Sequence, residues 1–456
     1  MTERMSAREA IALVTDAFVE HTPPAGSAAP DGPLSWYGYD ASRARAADRT
    51  GEDESVLYGT ATLGEGRPCA LLAFEFGFLG GSLGERAGDR LEDAYRLARE
   101  RRIPLVSLVA TGGSRMQEGM VALTQLQRVA RATVLLREAG VPHIAVLRDP
   151  ATGGGWATVG AGADVILALP GAQIGFAGSR VRPADAEPTA YTAEGQLAAG
   201  QVDGVVRPEE LRETVTRWVT ALSGSPTGSS APSPAGSGAP RPVPPPGALA
   251  DTPLPGSGWD AVRQARDPAR PRAEAYLDRY FEHRLPLVGD RCGGTDPGVL
   301  CGVGLRPDGG AVAYVAQCGT ATRPAGYRTA ARVVRLADRL GLPVLTLVDT
   351  PGAANDAEAE RAGAGAAIAD AFAAIAGARV PVTTLLIGEG GSGGALALAA
   401  PDNTWATPDS YFSVIAPELA AAILKRPPDQ APHTAEQLRL RPQDLVELGI
   451  VQGIVP

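Results

Sequence analysis

The chain has 456 residues, 44% hydrophobic and 20% charged, with 42 basic and 51 acidic side chains and a formal net charge of −9. That length supports two domains with full cores, and an acidic balance without blocks of like charge argues against nucleic acid or an anionic membrane as partner. Lys425 is the only lysine, which excludes a lysine-dependent P-loop or Schiff-base mechanism in the rest of the chain.

No apolar run reaches the roughly eighteen residues of a membrane span, and the N-terminus MTERMSAREA lacks the apolar stretch of a secretory signal. A cytoplasmic protein is expected. In chain order, residues 91–102 carry apolar side chains at helical spacing, and an apolar strand starts at Pro104. A long helix over 120–140 and a second strand from Pro142 follow. Residues 223–258, almost entirely Ser, Gly, Ala and Pro, read as a disordered tether. Beyond it the pattern returns: a helix over 329–341, a strand from Pro343, a helix over 364–378 and a strand from Pro381.

The two halves therefore read as repeats. The interval from Pro104 to Pro142 equals that from Pro343 to Pro381, and Asp164 stands before Pro170 as Asp402 stands before Pro408. The strands are near-continuous apolar runs, as parallel strands covered on both faces require. The fold class is α/β, with domains expected at 1–222 and 259–456. Cys69, Cys292, Cys301 and Cys318 form no C-x-x-C pair and read as buried free thiols; the four histidines are scattered, so no metal site is expected.

Three glycine-rich turns carry the chemical signal. Thr111-Gly112-Gly113-Ser114-Arg115, Thr152-Gly153-Gly154-Gly155 and Gly390-Gly391-Ser392-Gly393-Gly394 each follow an apolar strand. Glycine lets the backbone bend and lets an oxygen approach the N–H groups, and a helix N-terminus adds partial positive charge. Such turns suit the stabilisation of an anionic oxygen; which oxygen stays open at this level. Gly388-x-Gly390-x-x-Gly393 matches a dinucleotide fingerprint only formally, and Asp349-Thr350-Pro351-Gly352 lacks the P-loop a nucleotide switch needs.

The stretch GGSRMQEG (112–119) with GVPHIAVLRDPATGGGWATVGAGADVILALPGAQIGFAGSRV, and the later IGEGGSGGAL (387–396), resemble the β and α subunits of bacterial acetyl-CoA carboxylase carboxyltransferase. The resemblance implies two tandem crotonase-like (ClpP/crotonase superfamily) domains, β-like then α-like, that move a carboxyl group from carboxybiotin to an acyl-CoA such as acetyl-CoA. It assigns one backbone oxyanion hole to Gly153 and Gly154 and the other to Gly393 and Gly394. One is expected to hold the thioester enolate and the other the biotin ureido oxygen. Substrate contacts are expected from Gly112, Gly113, Arg115, Gly175, Phe176, Ala177, Gly178, Arg180, Gly390 and Gly391, with Tyr411 and Ser413 at the acyl pocket.

With no biotin-accepting M-K-M segment, a biotin carboxyl carrier protein and a biotin carboxylase are expected on separate chains. Sites of this family lie between β-type and α-type domains, so a homodimer or larger homo-oligomer is implied. The family's basic Q-K-G-R segment is replaced by Gln317-Cys318-Gly319-Thr320. A malonyl-thioester decarboxylase on the same fold, or a non-catalytic scaffold of a carboxylase complex, are the alternative readings.

Overall fold

Runs such as Leu105–Thr111 and Val344–Thr350, apolar or small at nearly every position, have no face to give to water and become buried central strands. The computed structural model describes residues 4–22, 29–223 and 240–456. The chain divides into two units, Met1–Ser223 and Gly224–Pro456.

In the first, strands β1 (Ala17–Glu20), β2 (Val56–Leu63), β3 (Arg67–Phe74), β4 (Leu105–Thr111), β5 (His143–Thr152), β6 (Val165–Ala168) and β8 (Gly204–Val205) pair in that order, while β7 (Ile174–Gly175) adds to the end of β5. The second repeats it with β9 (His283–Pro286), β10 (Val299–Leu305), β11 (Ala311–Gln317), β12 (Val344–Thr350), β13 (Val382–Gly391), β14 (Thr404–Ala406) and β16 (Gly453–Ile454) in order, and β15 (Tyr411–Ser413) on β13. Each sheet is mixed. Three antiparallel strands come first, and the strands from β3 and from β11 onward run parallel.

Equivalent elements agree closely in length. The helices Glu85–Arg101 and Pro324–Leu340 both have 17 residues, β4 and β12 both have 7, and β5 and β13 both have 10. Pro324 opens its helix and Gly341, at φ 71°, closes it, a placement that uses proline's fixed φ and glycine's left-handed freedom. The predicted helices over 91–102, 120–140, 329–341 and 364–378 correspond to Glu85–Arg101, Gly119–Glu138, Pro324–Leu340 and Ala364–Ala376.

The expected tether is corrected at its C-terminal end; residues 224–239 of it lie outside the described residues. Residues 240–258 lie on the second unit instead of hanging free. Val243 is buried and its carbonyl accepts from Thr383 Oγ1 at 2.8 Å, the Pro244 carbonyl accepts from Tyr280 Oη at 2.7 Å, and Ala248 N–H donates to the Pro456 carbonyl at 2.9 Å. Prolines have no N–H to satisfy, so a proline-rich segment can dock through its carbonyls. The thiols need a correction too. Cys69 and Cys301 are buried, which pushes both up to about 12, but Cys292 is exposed on a turn.

Candidate functional site: paired glycine turns

Each unit ends two adjacent parallel strands in turns that pack backbone against backbone. In the first unit β4 leads into Gly112-Gly113, and β5 into the short helix Gly153–Gly155. Thr111 Oγ1 accepts from Gly113 N–H at 3.1 Å, and Leu83 N–H donates to the Gly113 carbonyl at 2.8 Å. A Cβ on Gly153 would lie 2.9 Å from Gly113 Cα, so glycine is what lets these turns meet.

The second unit repeats the device with different residues. Thr350 Oγ1 accepts from Gly352 N–H at 3.2 Å, and Thr322 N–H donates to the Gly352 carbonyl at 3.1 Å. Counted from the strand starts, Gly112-Gly113 correspond to Pro351-Gly352, Gly153 to Ser392, and Gly154-Gly155 to Gly393-Gly394. The glycine pairs named from the sequence are thus one position out of step between the repeats. Gly153 and Ser392 are the bend; the two following residues are the start of the helix.

The N–H groups of that helix start are the chemical feature. Among the described residues, Gly154 and Gly155 N–H have no acceptor in the chain, nor have Gly393 and Gly394 N–H, whereas Gly153 N–H is taken by the Phe176 carbonyl at 3.1 Å. Gly154, Gly155 and Gly394 are buried and Gly393 is half-buried. Unpaired donors on buried backbone are uncommon and costly, and here they point from a helix N-terminus, where negative charge is favoured. The arrangement can hold one anionic oxygen in each unit.

The carbonyl side of the second turn is braced by Tyr327, which the sequence did not single out, and by Gln317, noted there only as part of a replaced segment. Tyr327 Oη donates to the Gly394 carbonyl at 2.9 Å, and buried Gln317 donates through Nε2 to the same carbonyl at 3.3 Å and to Thr322 Oγ1 at 3.0 Å. Asp349, 0% exposed at the end of β12, takes Arg270 Nη2 on both oxygens at 2.6 Å and Arg272 Nη1 at 3.1 Å. The sequence showed Asp349 only as a failed D-x-x-G match, whereas its place at the end of an otherwise apolar strand was the signal of this ion-pair role.

The other expected contacts divide. Gly175 pairs with Thr152 and sets Phe176 beside the first turn; Phe176 is 73% exposed, Ala177 and Gly178 are half-buried, and Arg180 is exposed. Gly390 and Gly391 pair with Phe412 and Ser413, so β15 flanks the second turn as β7 flanks the first. Three expectations are corrected. Arg115 is 1% exposed and commits Nε to Ser82 Oγ, Nη1 to Glu54, Glu118 and Tyr39, and Nη2 to Glu54, Ser55 and the Ser82 carbonyl. With its donors spent inside the protein it braces the turn and has none left for substrate. Tyr411 is buried with its hydroxyl on Glu389 Oε2 at 2.8 Å, and buried Ser413 donates to the Ile415 carbonyl at 2.6 Å. Both hydroxyls are thus committed to partners within the unit.

Comparison with known proteins agrees with this duplicated arrangement. Residues 34–233 match the carboxyl transferase domain family, and residues 256–456 match the acetyl co-enzyme A carboxylase carboxyltransferase-like family. The chain is 39% identical over 432 residues to the acetyl-coenzyme A carboxylase carboxyl transferase subunits beta/alpha of Saccharopolyspora erythraea, covering 91% of this chain and 74% of that one. It is 41% identical over 424 residues to the protein of the same name from Salinispora arenicola, covering 89% and 74%. The fold matches the crystal structure of transcarboxylase 12S, a hexamer core with hydrolysed methylmalonyl-coenzyme A bound, at a TM-score of 0.78 and 22% identity over 99% of this chain and 87% of that one. The chain belongs to the acetyl-coenzyme A carboxylase carboxyl transferase family, in its fused beta/alpha form.

Proposed function

We propose that the protein transfers a carboxyl group from carboxybiotin, delivered by a separate carrier protein, to an acyl-CoA, with acetyl-CoA as the preferred acceptor and malonyl-CoA as product. The observation that carries this reading is the pair of N–H donor turns, one per crotonase-like unit, each without a protein acceptor among the described residues. Carboxyl transfer makes two anionic oxygens. Forming a carbanion beside a thioester puts charge on the thioester oxygen, and loss of carbon dioxide from carboxybiotin puts charge on the ureido oxygen. Fixed donors aimed at developing charge contribute about 2.7–4 kcal/mol each to the transition state.

The chain's own part is to hold both oxygens on backbone that does not reorganise. Thr111 and Thr350 fix the facing loops, and Tyr327 and Gln317 fix the carbonyl of the second turn. A biotin carboxylase on another chain would recharge the carrier, and a homo-oligomer is the proposed assembly. The names of the relatives support acetyl-CoA. The methylmalonyl ligand of transcarboxylase 12S, a more distant neighbour, makes propionyl-CoA the acceptor to compare.

The test supplies purified full-length protein with labelled, carboxylated biotin carrier protein and either acetyl-CoA or propionyl-CoA. Label should move to the acyl-CoA only when the carrier is present, with higher kcat/KM for acetyl-CoA. No label in either acyl-CoA refutes carboxyl transfer, and a preference for propionyl-CoA refutes the assigned acceptor.

A further inference from the structure

The helices Glu85–Arg101 and Gly119–Glu138 flank a partly open cavity of about 300 Å³ lined by Glu92, Tyr95, Arg96, Arg99, Arg128 and Arg131. Arg128 is neutralised, through Nε on Glu92 at 3.1 Å and Nη1 on Asp89 at 2.8 Å, and Arg96 pairs with Asp93 at 2.6 Å. Arg99 and Arg131, on facing helices, have no carboxylate partner among the described residues. Two guanidinium groups without a carboxylate partner among the described residues therefore share one concave surface.

The repeat supplies an internal comparison. Arg96, Arg99 and Arg131 correspond to Arg335, Asp338 and Asp370 in the second unit, counted from Pro104, Pro142, Pro343 and Pro381. There Arg335 Nη1 bonds Asp370 Oδ2 at 3.0 Å across the two helices, and Asp338 pairs with Arg379 at 2.9 Å. The second unit bridges the equivalent helices with an ion pair. The first presents arginine at all three positions.

We propose that the first unit binds a phosphate-bearing small molecule, of nucleoside diphosphate or pyrophosphate type, in this cavity. Guanidinium forks match phosphate oxygens bidentately, and the volume sits at the lower end of the roughly 300–1,000 Å³ usual for small-ligand sites. Arg99 lies near the helix end that feeds β4, whereas Gly113 and Gly154 follow the far ends of β4 and β5, so the cavity is distinct from the glycine turns.

Calorimetric titration of the full chain with pyrophosphate, ADP and citrate tests this. Saturable binding of pyrophosphate or ADP is expected, at least tenfold weaker in R99Q/R131Q, with the unliganded melting temperature and the kcat of that variant unchanged. Arg131 is exposed, so R131Q alone offers a variant whose folding is not at risk, and at least threefold weakening is expected. No saturable binding, equal binding in both variants, or citrate binding in place of the two phosphates would overturn the proposal.

Discussion

Gly153 and Ser392 occupy the same place in the two repeats, and both are held in the left-handed region, at φ 66° and 55°. The bend that turns β5 and β13 into their helix starts is therefore a property of the backbone path and is kept where the residue is serine. At Gly153 the close approach of Gly113 also forbids a side chain; at Ser392 the side chain is exposed and only the backbone is strained.

Ser392→Gly should relieve that strain. A left-handed non-glycine residue costs about 1–2 kcal/mol, partly offset by the roughly 0.5–1 kcal/mol of extra freedom glycine has in the unfolded chain. A net gain of about 0.5–1 kcal/mol in stability is expected, read from chemical denaturation. Gly153→Ala, which meets both the strain and the Gly113 backbone, should destabilise.

Neighbouring glycines in the second turn should separate function from folding. A Cβ on Gly393 meets nothing within 4 Å, whereas one on Gly394 runs into Ala353 N and comes within 2.7 Å of Tyr327 Oη. Gly393→Val is expected to keep its melting temperature and lower kcat by about 10²–10³-fold by obstructing the donor turn. Gly394→Ala is expected to lose about 1–3 kcal/mol of stability through overpacking. Paired thermal melts and steady-state rates check both.

Glu54 is fully buried against Arg115. Burial pushes its carboxyl up, and the Arg115 guanidinium outweighs this and holds it below the usual 4.5. A depressed carboxyl contributes stability above its unfolded pKa and loses it as pH falls through the folded one, so this pair should fail below about pH 4.5. Glu54→Gln leaves Arg115 buried without its main carboxylate, and about 3–5 kcal/mol should be lost at neutral pH. Denaturant midpoints across pH 3–7 measure both effects.

His143 is buried under Tyr95 and shares a 2.6 Å hydrogen bond with Ser107 through Nε2. Burial, with Arg137 adding to it, lowers its pKa to about 3 from an ordinary 6.5. Protons then bind the unfolded chain first. Stability should be full above pH 6.5 and decline as pH drops from there toward 3, with a limiting slope of about 1.4 kcal/mol per pH unit. His143→Gln should flatten that slope between pH 6.5 and 4.5, where Glu54 does not yet titrate.

Much of the α/β architecture and the repeat were legible because Pro104, Pro142, Pro343 and Pro381 each precede a buried parallel strand whose apolar run admits no other placement. The antiparallel strands before β3 and β11 were not, since edge pairing depends on partners distant in the chain. The glycine turns were visible as turns, but their register was not: Ser392 takes a glycine's place at positive φ, and nothing in its identity announces that. Arg115 looked like a ligand contact because a charged residue in a glycine motif carries no mark of its burial; its partners Glu54 and Tyr39 lie far off in sequence. Residues 240–258 had the composition of a tether, yet their carbonyls found donors at Thr383 and Tyr280.

In the proposed function the paired donor turns serve carboxyl transfer between biotin and an acyl-CoA. The reverse reaction tests this: formation of acetyl-CoA from malonyl-CoA by the purified chain, with the carboxyl group passing to biocytin when biocytin is present and to no acceptor when it is left out. Acetyl-CoA formation should depend on biocytin, yield carboxybiocytin, and fall at least a hundredfold in Gly393→Val. Acetyl-CoA formation at the same rate without biocytin, with free carbon dioxide as the other product, would contradict this and instead make the protein a malonyl-thioester decarboxylase.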